Sequence, residues 1–134
     1  MAEAIAAHIG SDVMEVSSAG LVARGRVQSL TKLTIAKNGY PADELQSKPL
    51  EADDLEAADI RVNMTGRPDF ALFQDPAKVE GWNVEDPYGA GPQTYQRVFE
   101  DIESRVVLLI GKVRKSVTRR FTARQDREKD AGQR

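Results

Sequence analysis

Cysteine is absent from all 134 residues, and histidine occurs once, as His8. The first absence removes disulfides, zinc–thiolate sites and thiol catalysis from what these residues can do. The second removes a histidine-built metal centre, and we read His8 as a helix-surface residue. No run approaches the roughly 20 apolar residues that a membrane-spanning helix needs. The opening MAEAIAAHIG has neither a basic start nor a continuous apolar core, so it does not read as a secretory signal. We therefore expect a cytoplasmic protein without a membrane span.

What is there fits one soluble globular domain, with 40% hydrophobic and 30% charged residues. The net charge of −2 hides an asymmetry. Residues 111–134 hold nine Lys/Arg against three Asp/Glu, a balance of +6. Residues 1–110 hold ten against eighteen, a balance of −8. An acidic body with a basic tail can meet a weak anionic partner through that tail.

Periodicity orders the chain. Residues 1–9 are alanine-rich with Ile5 and Ile9 four apart, and read as a helix. Asp12 to Ser18 alternates around Val13, Met14 and Val16, which reads as a short strand turned by SSAG at 17–20. Residues 26–38 carry Val27, Leu30, Leu33 and Thr34 at helical spacing and stop at Asn38-Gly39. A polar loop over 41–49 precedes a short acidic helix over 51–58. IRVNM at 60–64 reads as a buried strand, followed by loop with a helical turn around Phe70 to Phe73. WNVED at 82–86 reads as a third strand. From Tyr95 to Val117 the apolar residues recur with a period near 3.6, which marks a long amphipathic helix. Beyond Phe121 the apolar period is lost and a frayed end is expected.

Helices alternating with strands indicate a parallel α/β sheet with helices on both faces. Chemistry in such sheets gathers at the carboxyl ends of the strands. Those ends are SSAG, NMT and EDPY, and the last sets Asp86 before Pro87 and Tyr88. An Asp-Pro pair is also an ordinary turn, and Ser18 in SSAG can be a turn or cap residue.

Taken in order, MAEAI (1–5), SSAG (17–20), the Asn38-Gly39 turn, SKPL (47–50), ADIRVNM (58–64) and W-x-V-x-DPYG (82–89) form a pattern. With Y-x-x-V-x-x-x-I from Tyr95 to Ile102, the chain resembles a low-molecular-weight protein tyrosine phosphatase, a fold shared with thioredoxin-coupled arsenate reductases. The resemblance implies a three-layer α/β sandwich with a parallel sheet. It divides the chain into a phosphatase-like domain over 1–118 and a basic, flexible tail over 119–134. It also implies that Asp86 is the general acid, Tyr88 a wall of the substrate cleft and Ser18 a brace for the phosphate loop. Glu85 does not match the acid position. No cofactor or metal is implied, and the partner is a phosphotyrosine protein or a small phosphomonoester.

One departure bears on activity. In the family, MAEAI follows almost directly on a loop of cysteine, five residues, arginine and serine, fed by the first and central strand. Here Met1 is the first residue, so that strand, the nucleophile and the loop are not in the chain. An internal start and a genuine loss both fit this. We expect the chain as given to be inactive, with a non-catalytic binding module as the alternative and arsenate reduction ranked below both. In the family's sheet the absent strand lies between 13–17 and 60–64, so self-association through the unpaired edges is expected.

Overall fold

Alanine makes the first element. AEAIAAHI forms α1 (Ala2–Ile9), with Glu3 in the first turn where the helix dipole favours an acid, and it buries Ala4, Ile5 and Ala6. The computed structural model describes residues 1–20, 27–69 and 79–132. The remaining elements are α2 (Ser29–Lys37), α3 (Ala52–Ala57), β1 (Arg61–Asn63), β2 (Val79–Gly81) and α4 (Pro92–Gly132). The architecture is α/β, and its described sheet is β1 paired with β2 in parallel.

The long helix organises the rest. α4 starts at Pro92, whose missing N–H is harmless in a first turn. It turns Tyr95, Val98, Phe99, Ile102, Val106 and Ile110 into the core. α1 and α2 both pack on it, and Phe99, Ile5, Ile35 and Val106 are the largest fully buried side chains. α1 comes close because Gly10 ends it: a Cβ there would stand 2.9 Å from the Ala6 carbonyl oxygen and 3.0 Å from Ile110 Cδ1. Arg114 then fastens the far side of this contact, donating to the Ile9 carbonyl and to Asp12 Oδ1, each at 2.9 Å. The Asp12 carboxyl is held below its ordinary range chiefly by that hydrogen bond.

Several expectations need correction. The apolar face of α2 is Thr34 and Ile35, while Leu33 is 64% exposed. Leu33 and Ile35 lie about 200° apart around a helix, so only one can face the core. The third strand is Val79–Gly81 and not Trp82–Asp86. Residues 82–86 leave the ladder after a single further bond, Trp82 N to Asn63 O at 2.9 Å. β1 is shorter and less buried than IRVNM implied, with Ile60 and Met64 exposed. Asp12–Ser18 is not a strand: residues 11–13 form a turn, and 14–19 run on without a ladder partner among the described residues. The end expected to fray beyond Phe121 stays helical to Gly132. The turn expected around Phe70 to Phe73 lies outside the described residues.

Candidate functional site

Two loops are stapled side by side before any functional group is considered. Gly20 N donates to Lys48 O at 2.9 Å and Leu50 N donates to Gly20 O at 3.1 Å, an isolated parallel bridge between Gly20 and Pro49. This sets the end of the 17–20 segment against the segment Gln46 to Lys48. The start of α2 closes a third side with Gln28 and Thr31.

The fourth side is the DPYG loop. The Tyr88 N–H donates to Asp86 Oδ1 at 3.0 Å, and Ala90 N donates to Pro87 O at 2.9 Å. The first bond is an Asx turn and the second closes a tight turn over 87–90. Gly89 sits in that turn at φ +80°, a conformation that side-chain-bearing residues rarely adopt. The segment leading in is held down on α4. Trp82 is buried, Arg97 pairs with Glu85 at 3.0 Å, and Arg105 donates to the Asn83 carbonyl at 3.3 Å. Glu85, which does not match the acid position, is this exposed ion-pair partner.

Together these walls enclose an open cavity of about 380 Å³, lined in part by Ser18, Thr31, Ser47, Lys48, Asp86 and Tyr88. All three site residues expected from the sequence meet there. Asp86 and Tyr88 are exposed to solvent in the cavity mouth. Ser18 turns its hydroxyl to Glu3, donating to Oε2 at 2.7 Å. A carboxyl, an ammonium, a hydroxyl and a phenol ring around one opening can receive an anion that carries an aromatic group.

Lys48 and Glu3 were not singled out from the sequence. Lys48 was within reach, since it lies inside SKPL, whereas Glu3 carries no local signal beyond its helical turn. His8 is exposed, as expected, and its ring meets Tyr40 edge to face at 5.5 Å. Among the described residues no group of three His, Cys, Asp or Glu could hold a metal ion, and no helix is long and apolar enough to cross a membrane.

Known proteins share this fold. The chain is 26% identical over 96 residues to a Halobacterium salinarum protein inferred to be an arsenate reductase, covering 72% of this chain and 67% of that one. A low molecular weight protein tyrosine phosphatase from T. tengcongensis superposes with a TM-score of 0.74 at 24% identity, over 83% of this chain and 88% of that one. An arsenate reductase in the reduced state superposes with a TM-score of 0.69 at 25% identity, over 83% and 86%. Residues 1–119, from α1 through the basic stretch of α4, match the family described as low molecular weight phosphotyrosine protein phosphatase. That match spans most of the chain, and the chain belongs to the low molecular weight phosphotyrosine protein phosphatases.

Proposed function

We propose that this chain carries the acid side of a phosphomonoester hydrolase site and is catalytically silent as given. One observation supports the reading above all. Ser18, Asp86 and Tyr88, up to 70 residues apart, line a single cavity. In a complete family member, attack by a cysteine thiolate makes a cysteinyl-phosphate. Backbone amides and an arginine hold the phosphoryl oxygens. Asp86 would give its proton to the leaving phenolate oxygen and then, as carboxylate, draw a proton from the water that attacks the phosphoenzyme. Tyr88 would flank the substrate ring, Ser18 would brace the phosphate loop, and Lys48 would offer a cation to the substrate's oxygens.

None of the 134 residues is a cysteine, so no cysteinyl-phosphate forms on them. What stays is a cleft able to hold a phosphorylated partner without turning it over, which makes a binding module the alternative. The Halobacterium relative favours arsenate reduction as a further reading. That chemistry passes through additional cysteines, so it ranks lower here.

The purified chain should hydrolyse neither p-nitrophenyl phosphate nor a phosphotyrosine peptide above background. Vanadate-sensitive turnover by pure protein would overturn this. In a version carrying a family-type cysteine segment before Met1, Asp86→Asn should lower phosphotyrosine turnover about 10²–10⁴-fold, the range for a positioned acid. Asparagine keeps an Oδ1 to accept the Tyr88 N–H, so the turn is preserved while the proton is lost. p-Nitrophenyl phosphate, whose leaving group needs no proton, should suffer less. Equal losses on both substrates would make Asp86 a turn residue only.

A further inference from the structure

The Asn38-Gly39 turn ends α2 and does not line the Asp86 cavity. It is a Schellman cap: the Gly39 N–H donates to Ala36 O at 3.0 Å and the Tyr40 N–H to Ile35 O at 3.1 Å. Gly39 sits there exposed at φ +89°, with nothing within 4 Å of where a Cβ would stand. The Asn38 carboxamide also ties this end to α4. Its Nδ2 donates to Thr34 O at 2.7 Å and to Gln96 Oε1 at 2.8 Å, and its Oδ1 accepts from Gln96 Nε2 at 3.0 Å. Three of the four hydrogen bonds open to a carboxamide are therefore made. The two with Gln96 form a head-to-tail amide pair across the seam between the helices.

The same dipeptide carries its own reaction. Hydroxide can take the proton of the Gly39 N–H, and that nitrogen can then attack Asn38 Cγ. A succinimide ring closes as Nδ2 leaves in ammonia. Water opens the ring at Cγ to give aspartate, or at the Asn38 backbone carbonyl to give isoaspartate, whose chain runs through Cβ and Cγ. In sum, water is consumed and ammonia released, with no oxidant or reductant. Glycine in second place favours the attack, since no side chain shields the nitrogen. The other asparagines, Asn63 and Asn83, precede Met64 and Val84. The folded geometry opposes both steps at Asn38. The Gly39 proton is held on Ala36 O, and the carboxamide must drop Gln96 and Thr34 before Cγ can turn to the nitrogen.

We propose that Asn38-Gly39 is a deamidation site that the Gln96 amide keeps shut, and that its conversion unfastens the end of α2 from α4. Aspartate would set a carboxylate oxygen against the Thr34 and Gln96 oxygens that Nδ2 serves. It would also put a negative charge at a helix C-terminus, where the dipole disfavours it. Isoaspartate would add a methylene to the backbone inside the cap, so the Gly39 and Tyr40 N–H groups no longer meet Ala36 and Ile35 in register. The Tyr40 hydroxyl on Glu103 would remain as a tie between this end and α4. Since α2 also brings Thr31 to the Asp86 cavity, the Asn38 tie helps to place one wall of that cavity.

Incubating the full chain in mildly alkaline buffer, with peptide mapping by mass spectrometry, tests this. In the urea-unfolded chain Asn38 should convert well ahead of Asn63 and Asn83, and in the native chain it should convert more slowly than in the unfolded one. Gln96→Leu should speed native-state conversion about fivefold or more, as the loss of two ordinary hydrogen bonds would. Val106→Ala weakens the buried core without touching the pair. It should speed conversion less, at an equal or larger drop in urea midpoint. Asn38→Asp, standing in for one product, should lower the midpoint and quicken amide exchange at Gly39 and Tyr40. The proposal is overturned if Asn38 lasts as long as Asn63 in the unfolded chain, or if Gln96→Leu gives no acceleration beyond that of Val106→Ala. It is equally overturned if Asn38→Asp leaves midpoint and exchange unchanged.

Discussion

Tyr40 holds its hydroxyl 2.6 Å from Glu103 Oε2, donating across from the α2 side of the core to α4. Its ring packs against His8 and Phe99, with centroids 5.5 and 5.8 Å away. The hydrogen bond to Glu103, then burial, then the Glu103 charge push the phenol from its ordinary 10 up to about 12. The folded protein therefore keeps this proton when the unfolded chain has lost it. That stabilisation is fully present below pH 10 and is lost as pH rises towards 12. Urea melts of the native chain should show stability falling across this window, and Tyr40→Phe should flatten the fall while keeping the ring contacts. An unchanged slope in the variant would assign the alkaline loss to other groups. Asn63 is a second residue whose side chain organises a loop. Buried at the end of β1, it donates to Arg67 O and Asp69 Oδ1 and accepts from Thr65. The NMT end marked from the sequence thus serves as a loop anchor.

Helix α1 meets α4 without a side chain at Gly10, and that approach is testable. Gly10→Ala would gain about 0.4–1 kcal/mol from reduced freedom of the unfolded chain. Against that, the new methyl lands 2.9 Å from a backbone oxygen and 3.0 Å from Ile110, and forced overpacking costs about 1–3 kcal/mol. The backbone oxygen cannot swing aside, so a net loss is expected, read as a lower urea midpoint at constant slope. A midpoint equal to or above that of the native chain would show that α1 can shift. Helices α1, α3 and α4 were legible in the sequence because alanine content, acidic patterning and a long apolar period are local signals. β2 was not, because Val79-Glu80-Gly81 has little strand character and is extended through pairing with Arg61–Asn63. The face of α2 was misassigned because Leu33 and Ile35 are equally apolar, and only the position of α4 chooses between them. That Ser18, Asp86 and Tyr88 would meet around one cavity was legible from the order of SSAG and W-x-V-x-DPYG, although neither 12–18 nor 82–86 is a strand. Lys48 lay within the SKPL piece of that pattern, but its place at the cavity was not legible, because the bridge from Gly20 to Pro49 that brings it there joins segments with no shared local pattern.

For the molecule as a whole, the core lies on the helices and the small sheet is the part with unpaired edges. β1 has β2 on one edge, and among the described residues neither its other edge nor the segment from Glu15 to Ser17 is paired in a ladder. In the family's sheet a further strand runs between these two, and strands sit about 4.7–4.9 Å apart. Edges held as far apart as they are in the family's sheet, at twice that spacing, cannot reach one another. Glu15 and Ser17 are exposed and Val16, Arg61 and Val62 half-buried, so water meets their backbone groups, and these two edges add no ladder bonds to a fold of a kind typically held by only about 5–15 kcal/mol. We therefore expect a broad, low-temperature melt and rapid amide exchange from Glu15 to Ser17. Placing a family-type strand segment ahead of Met1 would give both edges a parallel neighbour. The melting temperature should then rise by at least about 5 °C, which corresponds to roughly 1–2 kcal/mol in a chain of this size. Exchange should slow in residues 15–17 and 61–63 together, since one inserted strand protects both. A sharp melt from a strictly monomeric sample, with slow exchange at 15–17 and no gain from the added strand, would mean that the two edges have closed on each other unaided.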